Sequence, residues 1–309
     1  MSAAPQTRQG IWLCIAAMAC FAALDSTSKY VIALAPLAVA IWVRFLVQTL
    51  AAGAFILPLR GRSVFQTRHP GLQLLRGGLA VTSSALGFLA LQTLAVAEFT
   101  AIIMLIPMLI TLLSALHFKE PVPLKIWLLL AGGLAGALLV IRPGAGHFQW
   151  GMLLSLGVVV INAVFQMLTS YLSRDDDPRA MHFYTGLVAT ILVSCALPFV
   201  AVWPTGVALW TMLLLIGLFS TVGHFFMILA YGRARPGVLT PYLYFQIAFA
   251  TLLGWLVFSN TPDRWSLIGI AVITVCGLAS SWVSIRRGPE VLNGETVFFK
   301  PAHGPTATP

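Results

Sequence analysis

The chain has 309 residues, 59% of them hydrophobic and only 9% charged, with a mean hydropathy of +0.92, against about 25% charged in an ordinary soluble domain. That composition excludes a water-soluble enzyme and implies an integral membrane protein. A net charge of +9 would suit nucleic acid only if the basic residues gathered on one face; here they are scattered between apolar segments, as membrane topology produces.

A hydrocarbon core about 30 Å thick needs about 20 apolar residues per helix. Cutting the chain at charge, Pro and Gly clusters predicts ten spans over 10–32, 35–57, 71–92, 97–117, 124–141, 149–171, 180–202, 207–230, 237–258 and 264–285. The first, preceded by Arg8, loosely imitates a secretory signal, but further spans follow at once and it is expected to stay as a helix. Its end, Asp25-Ser26-Thr27-Ser28-Lys29-Tyr30, together with Arg44 of the second span, holds the only charges between Gly10 and Leu57. Charge at bilayer depth costs a few kcal/mol and needs a partner or water. Asp25 and Lys29, four apart on one face, are able to pair directly. Arg44, about 12 Å along its helix from Pro36, would then need Glu98 or an anionic group on a substrate. A cavity-lining role and a buried ion-pair network that only locks helices are the two readings.

In the third and sixth spans Gln92 and Asn162 read as interhelical hydrogen-bonding groups. Glu98 opens the fourth span and Pro107 interrupts it, freeing carbonyls that a cavity can accommodate. Gly132, Gly133 and Gly136 in the fifth span, with Gly269 and Gly277 in the tenth, predict small-residue packing faces. The run Arg174-Asp175-Asp176-Asp177-Pro178-Arg179 reads as a solvated inner loop, with no metal site. His224 in the eighth span is either a proton carrier or an interhelical donor. Pro241 marks the start of the ninth, where Tyr242, Tyr244 and Gln246 place aromatic rings beside an amide, a combination suited to a flat organic molecule; Tyr242 is equally readable as an interface anchor. Cys14, Cys20, Cys195 and Cys276 lie in apolar runs without a Cys-x-x-Cys pair, and are expected to be buried and free. Residues 1–9 read as a cytoplasmic N-terminus and 287–309 as a disordered cytoplasmic tail.

Lysine and arginine set the orientation. With the N-terminus inside, thirteen basic residues fall in inner connections, Arg76 among them, and three in outer ones, which supports an even number of spans. A repeat is also visible. Gly10 aligns with Gly151 and Lys29-Tyr30 with Ser170-Tyr171 at an offset of 141, while Ala90-Leu91 aligns with Ala230-Tyr231 and Thr100 with Thr240 at 140. The fold class is therefore all-α, ten transmembrane helices in two five-helix repeats, residues 10–142 and 149–286; five being odd, the second repeat is inverted. Across the repeat Asp25 becomes Gln166, Lys29 Ser170, Arg44 Thr185 and Glu98 Val238, so the charges serve something that one half alone carries.

No Gly-x-Ser-x-Gly, P-loop or His-Glu-x-x-His is present, so no catalytic residues are assigned. The Asp25-x-x-Ser28-Lys29-Tyr30 run, Trp42-Val43-Arg44-Phe45, Leu75-Arg76-Gly77, Ala95-Val96-Ala97-Glu98 with Pro107, and Ala250-Thr251-Leu252-Leu253-Gly254 followed by Phe258 and Pro262-Asp263 resemble the EamA-type branch of the drug/metabolite transporter superfamily, over residues 10 to 286. His117-Phe118-Lys119-Glu120-Pro121 departs from the Gly-Glu pair common there, with Glu120 matching. The resemblance implies helices one, three, four, six, eight and nine around a central cavity, five and ten peripheral as a dimerisation surface, and no cofactor. It further implies a secondary carrier in a bacterial inner membrane that takes up a vitamin- or cofactor-like compound such as riboflavin or S-adenosylmethionine. Substrate contacts are expected at Arg44, Tyr244, Gln246, Tyr242, Lys29 and Asp25, with coupling or gating at Glu98, His224 and Pro107. An exporter of amino acids or drugs with the same fold, and a non-transporting scaffold or receptor, are the alternatives; proton coupling stays open.

Overall fold

The computed structural model describes residues 3–60, 67–118, 124–141, 149–172, 176–200, 202–231, 233–234, 239 and 242–286. The regular elements among them are helices: α1 Ala3–Ile32, α2 Leu37–Arg60, α3 Pro70–Thr93, α4 Val96–Ile103, α5 Ile106–Phe118, α6 Leu124–Ile141, α7 Trp150–Leu172, α8 Pro178–Val200, α9 Val207–Tyr231, α10 Phe245–Phe258 and α11 Arg264–Arg286. Six of these are long and apolar enough to cross a membrane, namely α1, α2, α3, α7, α8 and α9, and four shorter apolar helical stretches accompany them. Bulky apolar side chains such as Trp12, Leu50 and Phe199 point outward, which only a lipid environment tolerates on this scale. The Lys119–Pro121 turn, Arg174, Asp175, Pro241 and the tail from Gly288 lie outside the described residues.

The predicted fourth span is two helices. Pro107 has no N–H to give the carbonyl of Ile103, and its ring crowds that carbonyl; the chain turns at Met104–Leu105, where Leu105 N–H donates to Ile102 O at 3.0 Å instead of continuing the α pattern. Upstream, Glu98 reaches back to accept the N–H of Ala95 at 3.3 Å, capping α4.

The helix pairing has an internal symmetry. α1 packs on α9 and α10, while α7 packs on α3 and on the α4–α5 pair; α2 meets α9 as α8 meets α3; α2 with α8, α4 with α10 and α6 with α11 are further pairings. Exchanging the two halves of the chain maps these pairings onto themselves, whereas the packing of α1 on α3 is not matched to the same extent between α7 and α9. Individual contacts obey the same exchange. A methyl group on Gly10 would come within 3.2 Å of Ala230 O, and one on Gly151 within 2.8 Å of Ala90 O; Gly77 abuts Val188 as Gly217 abuts Val47. Thr49 and Thr190, which differ by the repeat offset, share a hydroxyl hydrogen bond of 3.2 Å. Small residues recur at equivalent places because dispersion, not hydrophobic exclusion, holds helices together in lipid, and it needs close backbones.

Two large clusters make up most of the apolar interior, with smaller ones around Cys14 and Leu239 and around Ala52 and Phe183. One cluster gathers the end of α3 with α4, α5, α6, α7, α10 and α11, around Leu94, Ile102, Met108 and Ile273. The other joins α1, α2, α3, α8 and α9, around Val31, Val39, Phe45, Phe88 and Leu213. α6 and α11 pack chiefly on each other, with Gly136 and Gly269 at the crossing. The four cysteines are free, as expected, but of the four only Cys14 is buried: Cys20 and Cys276 are half-buried and Cys195 is exposed.

Candidate functional site

Arg44 projects from the middle of α2 into the bundle. Its Nε donates to Ser220 Oγ of α9 at 3.2 Å and one terminal nitrogen donates to Ser84 Oγ of α3 at 2.9 Å, while its guanidinium lies 5.4 Å from the centre of the Phe45 ring. Both serines are buried, yet Arg44 itself is only half-buried. No carboxylate among the described residues reaches it: Asp25 of α1 interacts with it electrostatically without a direct bond. Asp25, also half-buried, accepts a hydrogen bond from Gln246 Nε2 of α10 at 3.1 Å. The bundle thus holds a cation and an anion that see each other but do not close on each other.

The expected Asp25–Lys29 pair is not formed. Lys29 Nζ instead donates to the carbonyls of Leu94 at 2.6 Å and Leu91 at 3.0 Å and lies 5.8 Å from the centre of the Phe258 ring. The last carbonyls of α3 have no helical partners of their own, so they solvate an ammonium better than one carboxylate a turn away does. Glu98 does not serve Arg44 either; it accepts from Ser266 Oγ of α11 at 3.1 Å and its charge acts on Lys29. Gln246 is buried at the centre, and Tyr242, half-buried, stacks on Phe245 with centroids 6.3 Å apart. Tyr244 is buried with its phenol end against Gly277, between α10 and α11. Asn162 donates to Ser83 Oγ across α7 and α3 at 2.6 Å, as expected, whereas Gln92 is exposed at the end of α3.

His224 lies one turn beyond Ser220. Its Nδ1 is 2.7 Å from Ser220 O, and since a carbonyl only accepts, Nδ1 carries the hydrogen. His182 of α8 stacks on it, centroids 5.6 Å apart, with its own Nε2 buried and without a partner. Further along α3, Arg76 is buried rather than in a loop: its Nε donates to Thr169 Oγ1 at 3.0 Å, and a terminal nitrogen donates to Met181 O at 3.0 Å and to Gln73 Oε1 at 3.1 Å. Gln73 in turn donates to Asp176 Oδ2 at 2.7 Å.

Asp176 is therefore no part of a solvated loop. Burial alone would raise its carboxyl, but hydrogen bonds from Thr67, Gln73 and the Arg68 N–H, with the nearby His69, outweigh that and hold it below the ordinary carboxylate range. A group depressed in the fold stabilises it fully above the unfolded-state value of about 3.9, and that stabilisation is lost as pH falls through the folded-state value. Thermal melting of detergent-solubilised protein is expected to fall on acidification below about pH 5, with Asp176→Asn removing that part of the pH dependence; identical acid limbs in both proteins would contradict the assignment.

Sequence reasoning singled out Arg44, Asp25 and Gln246, but not the serines packed on Arg44, Ser84 and Ser220, nor His182 or the Arg76–Gln73–Asp176 network. Serines in apolar helices carry no distinguishing pattern. Arg76 had one: with Gln73 three residues earlier it puts two polar groups on the same face of an apolar helix.

The sequence pattern of the EamA-like transporter family matches this chain twice, over residues 8–142 and 149–282. The chain is 27% identical over 272 residues to a riboflavin transporter of Vibrio cholerae, spanning 86% of this chain and 90% of that one. It is 26% identical over 282 residues to a pseudopaline exporter of Pseudomonas aeruginosa, spanning 89% and 96%, and 21% identical over 213 residues to an S-adenosylmethionine uptake transporter of Rickettsia bellii, spanning 69% and 73%. A solved crystal structure shares the fold with a TM-score of 0.62 at 22% identity, over 93% of this chain and 99% of the other.

Proposed function

The chain belongs to the EamA-like transporter family, and from that premise we propose that it is a secondary carrier moving a small, partly aromatic metabolite across a bacterial inner membrane by alternating access. In this reading the helices form ten spans in two inverted repeats, residues 10–142 and 149–286, with both termini cytoplasmic. The exchange symmetry of the helix pairing supports it, since rocking one half against the other needs two interchangeable packings. A homodimer through the α6–α11 face fits the same plan.

Arg44 carries the proposal. Two neutral hydroxyls hold its guanidinium in place without neutralising it, and it keeps accessible surface in the middle of the bundle. A cation so placed in lipid is stable only beside water or an arriving acceptor. Arg44 then donates to a carbonyl or acid oxygen of the substrate, Asp25 and Gln246 take its N–H groups, and Tyr242 and Lys29 complete the contacts. Tyr244 supports Gln246 from behind, while Glu98 and the break before Pro107 allow gating.

Uptake of a vitamin- or cofactor-like compound is favoured, by similarity to the riboflavin and S-adenosylmethionine transporters; export is the second reading, by similarity to the pseudopaline exporter. Radiolabelled riboflavin and S-adenosylmethionine offered to right-side-out and inverted vesicles separate them. Saturable accumulation in right-side-out vesicles is expected, accumulation in inverted vesicles alone would assign export, and none in either with correctly inserted protein would sink the carrier.

A further inference from the structure

The polar groups beyond Arg44 are more than a helix lock. Ser220 joins two functions at one residue: its hydroxyl accepts from Arg44 and its carbonyl accepts from His224 Nδ1. With the hydrogen fixed on Nδ1, the lone pair of the neutral His224 ring is at Nε2. Among the described residues that atom has no hydrogen-bond partner, and the residue is half-buried.

The surroundings of His224 are known from each neighbouring helix. Phe21 of α1 meets it edge-on at 4.9 Å, and His182 of α8 stacks at 5.6 Å. Gln48 of α2 lies 3.4 Å from His182 Nδ1. Arg44 of α2 and Arg76 of α3 are the guanidinium groups whose charge reaches the ring. Asp25 of α1 is the carboxylate coupled to Arg44, and α10 brings the uncharged Gln246. A proton added at Nε2 thus enters a pocket with two guanidinium charges near the ring, Arg44 faced by Asp25 and Arg76 by Asp176, neither carboxylate being bonded to the ring. An acidic substrate group on Arg44 adds a negative charge on the side of the ring that Arg44 occupies.

We propose that His224 Nε2 is the proton-binding site of this carrier, and that an acidic group docked on Arg44 binds together with the proton. The step forms one N–H bond from the ring lone pair and a proton taken from water on one side of the membrane. The same bond breaks, returning the proton to water, on the other side. Linkage makes the help mutual: if the anion favours the proton, the proton favours the anion by the same factor. Substrate and proton then move in the same direction. Histidine suits the role because one ring nitrogen can hold the structural hydrogen bond to Ser220 while the other takes up and releases a proton. The proposal rests on the carrier reading above.

The test uses the full chain in proteoliposomes with S-adenosylmethionine, which bears a carboxylate, riboflavin 5′-phosphate and uncharged riboflavin. For whichever acidic compound is carried, a gradient of about one pH unit is expected to raise accumulation up to about tenfold in the direction the proton flows, the limit for one proton per substrate. His224→Gln, with an unchanged melting temperature, is expected to reach equilibration but no accumulation. If His224→Gln does not fold, His182→Gln is expected to move the pH midpoint of uptake, and an unmoved midpoint counts against the site. Transport insensitive to the gradient, movement opposite to the proton, or gradient-driven accumulation retained in His224→Gln overturns the proton site and leaves the carrier standing. No transport of any compound overturns both.

Discussion

Arg44→Ala and Arg44→Gln are expected to insert and fold normally and to lose transport by about ten- to a hundredfold, the worth of one charge-assisted hydrogen bond of about 1.5–3 kcal/mol to the substrate. Folding survives because the partners left behind, Ser84 and Ser220, are hydroxyls able to turn to the backbone carbonyl one turn back, as Thr49 and Thr221 do here. Arg44→Lys is expected to rescue little: an ammonium cannot bridge two serines on separate helices and still present a planar edge. Initial uptake rates normalised to monodisperse protein measure this. Arg44→Ala protein that aggregates as much as it loses transport would favour a scaffold role, and full activity would remove Arg44 from the site.

Arg76→Ala should do the reverse. This guanidinium is 5% exposed and ties α3 to α7 through Thr169 and to α8 through Met181 O, with Gln73 passing the connection on to Asp176. Removing it strands the buried amide oxygen of Gln73, while Met181 O keeps the Thr185 hydroxyl at 2.9 Å, so a loss of about 1–3 kcal/mol is expected, read as a lower melting temperature in detergent. The protein that still folds should bind substrate. The two arginines therefore make a crossed pair, one affecting transport without stability and the other stability first. Equal melting of Arg76→Ala and the parent would show that the network contributes nothing to the fold.

The contrast between these residues shows where sequence reasoning reaches. Asp25 and Arg44 were recognisable because charge in an apolar run is costly wherever the run is buried, so their presence alone signals a special environment. Which partner each one takes was not recognisable. Asp25 chose Gln246, 221 residues away, over Lys29 at one turn. Lys29 went to the open carbonyls at the end of α3, a binding site that the backbone makes and no side-chain pattern announces. Asp176 looked solvated among its charged neighbours because the residues that bury it, Thr67 and Gln73, come from the preceding half of the chain.

By itself the sequence determined the lipid environment, the places where helices begin and break, and the 140-residue recurrence, since hydropathy, proline and period act along the chain. The Pro107 break follows from those local properties. Tertiary structure alone decided how the charges are answered: a serine pair for Arg44, carbonyls for Lys29, and a histidine stack beside them. Electrostatic and hydrogen-bond partners are fixed by distance in space, and in a bundle where α1 packs on α9 and α2 on α8, neighbours in space are far apart in sequence.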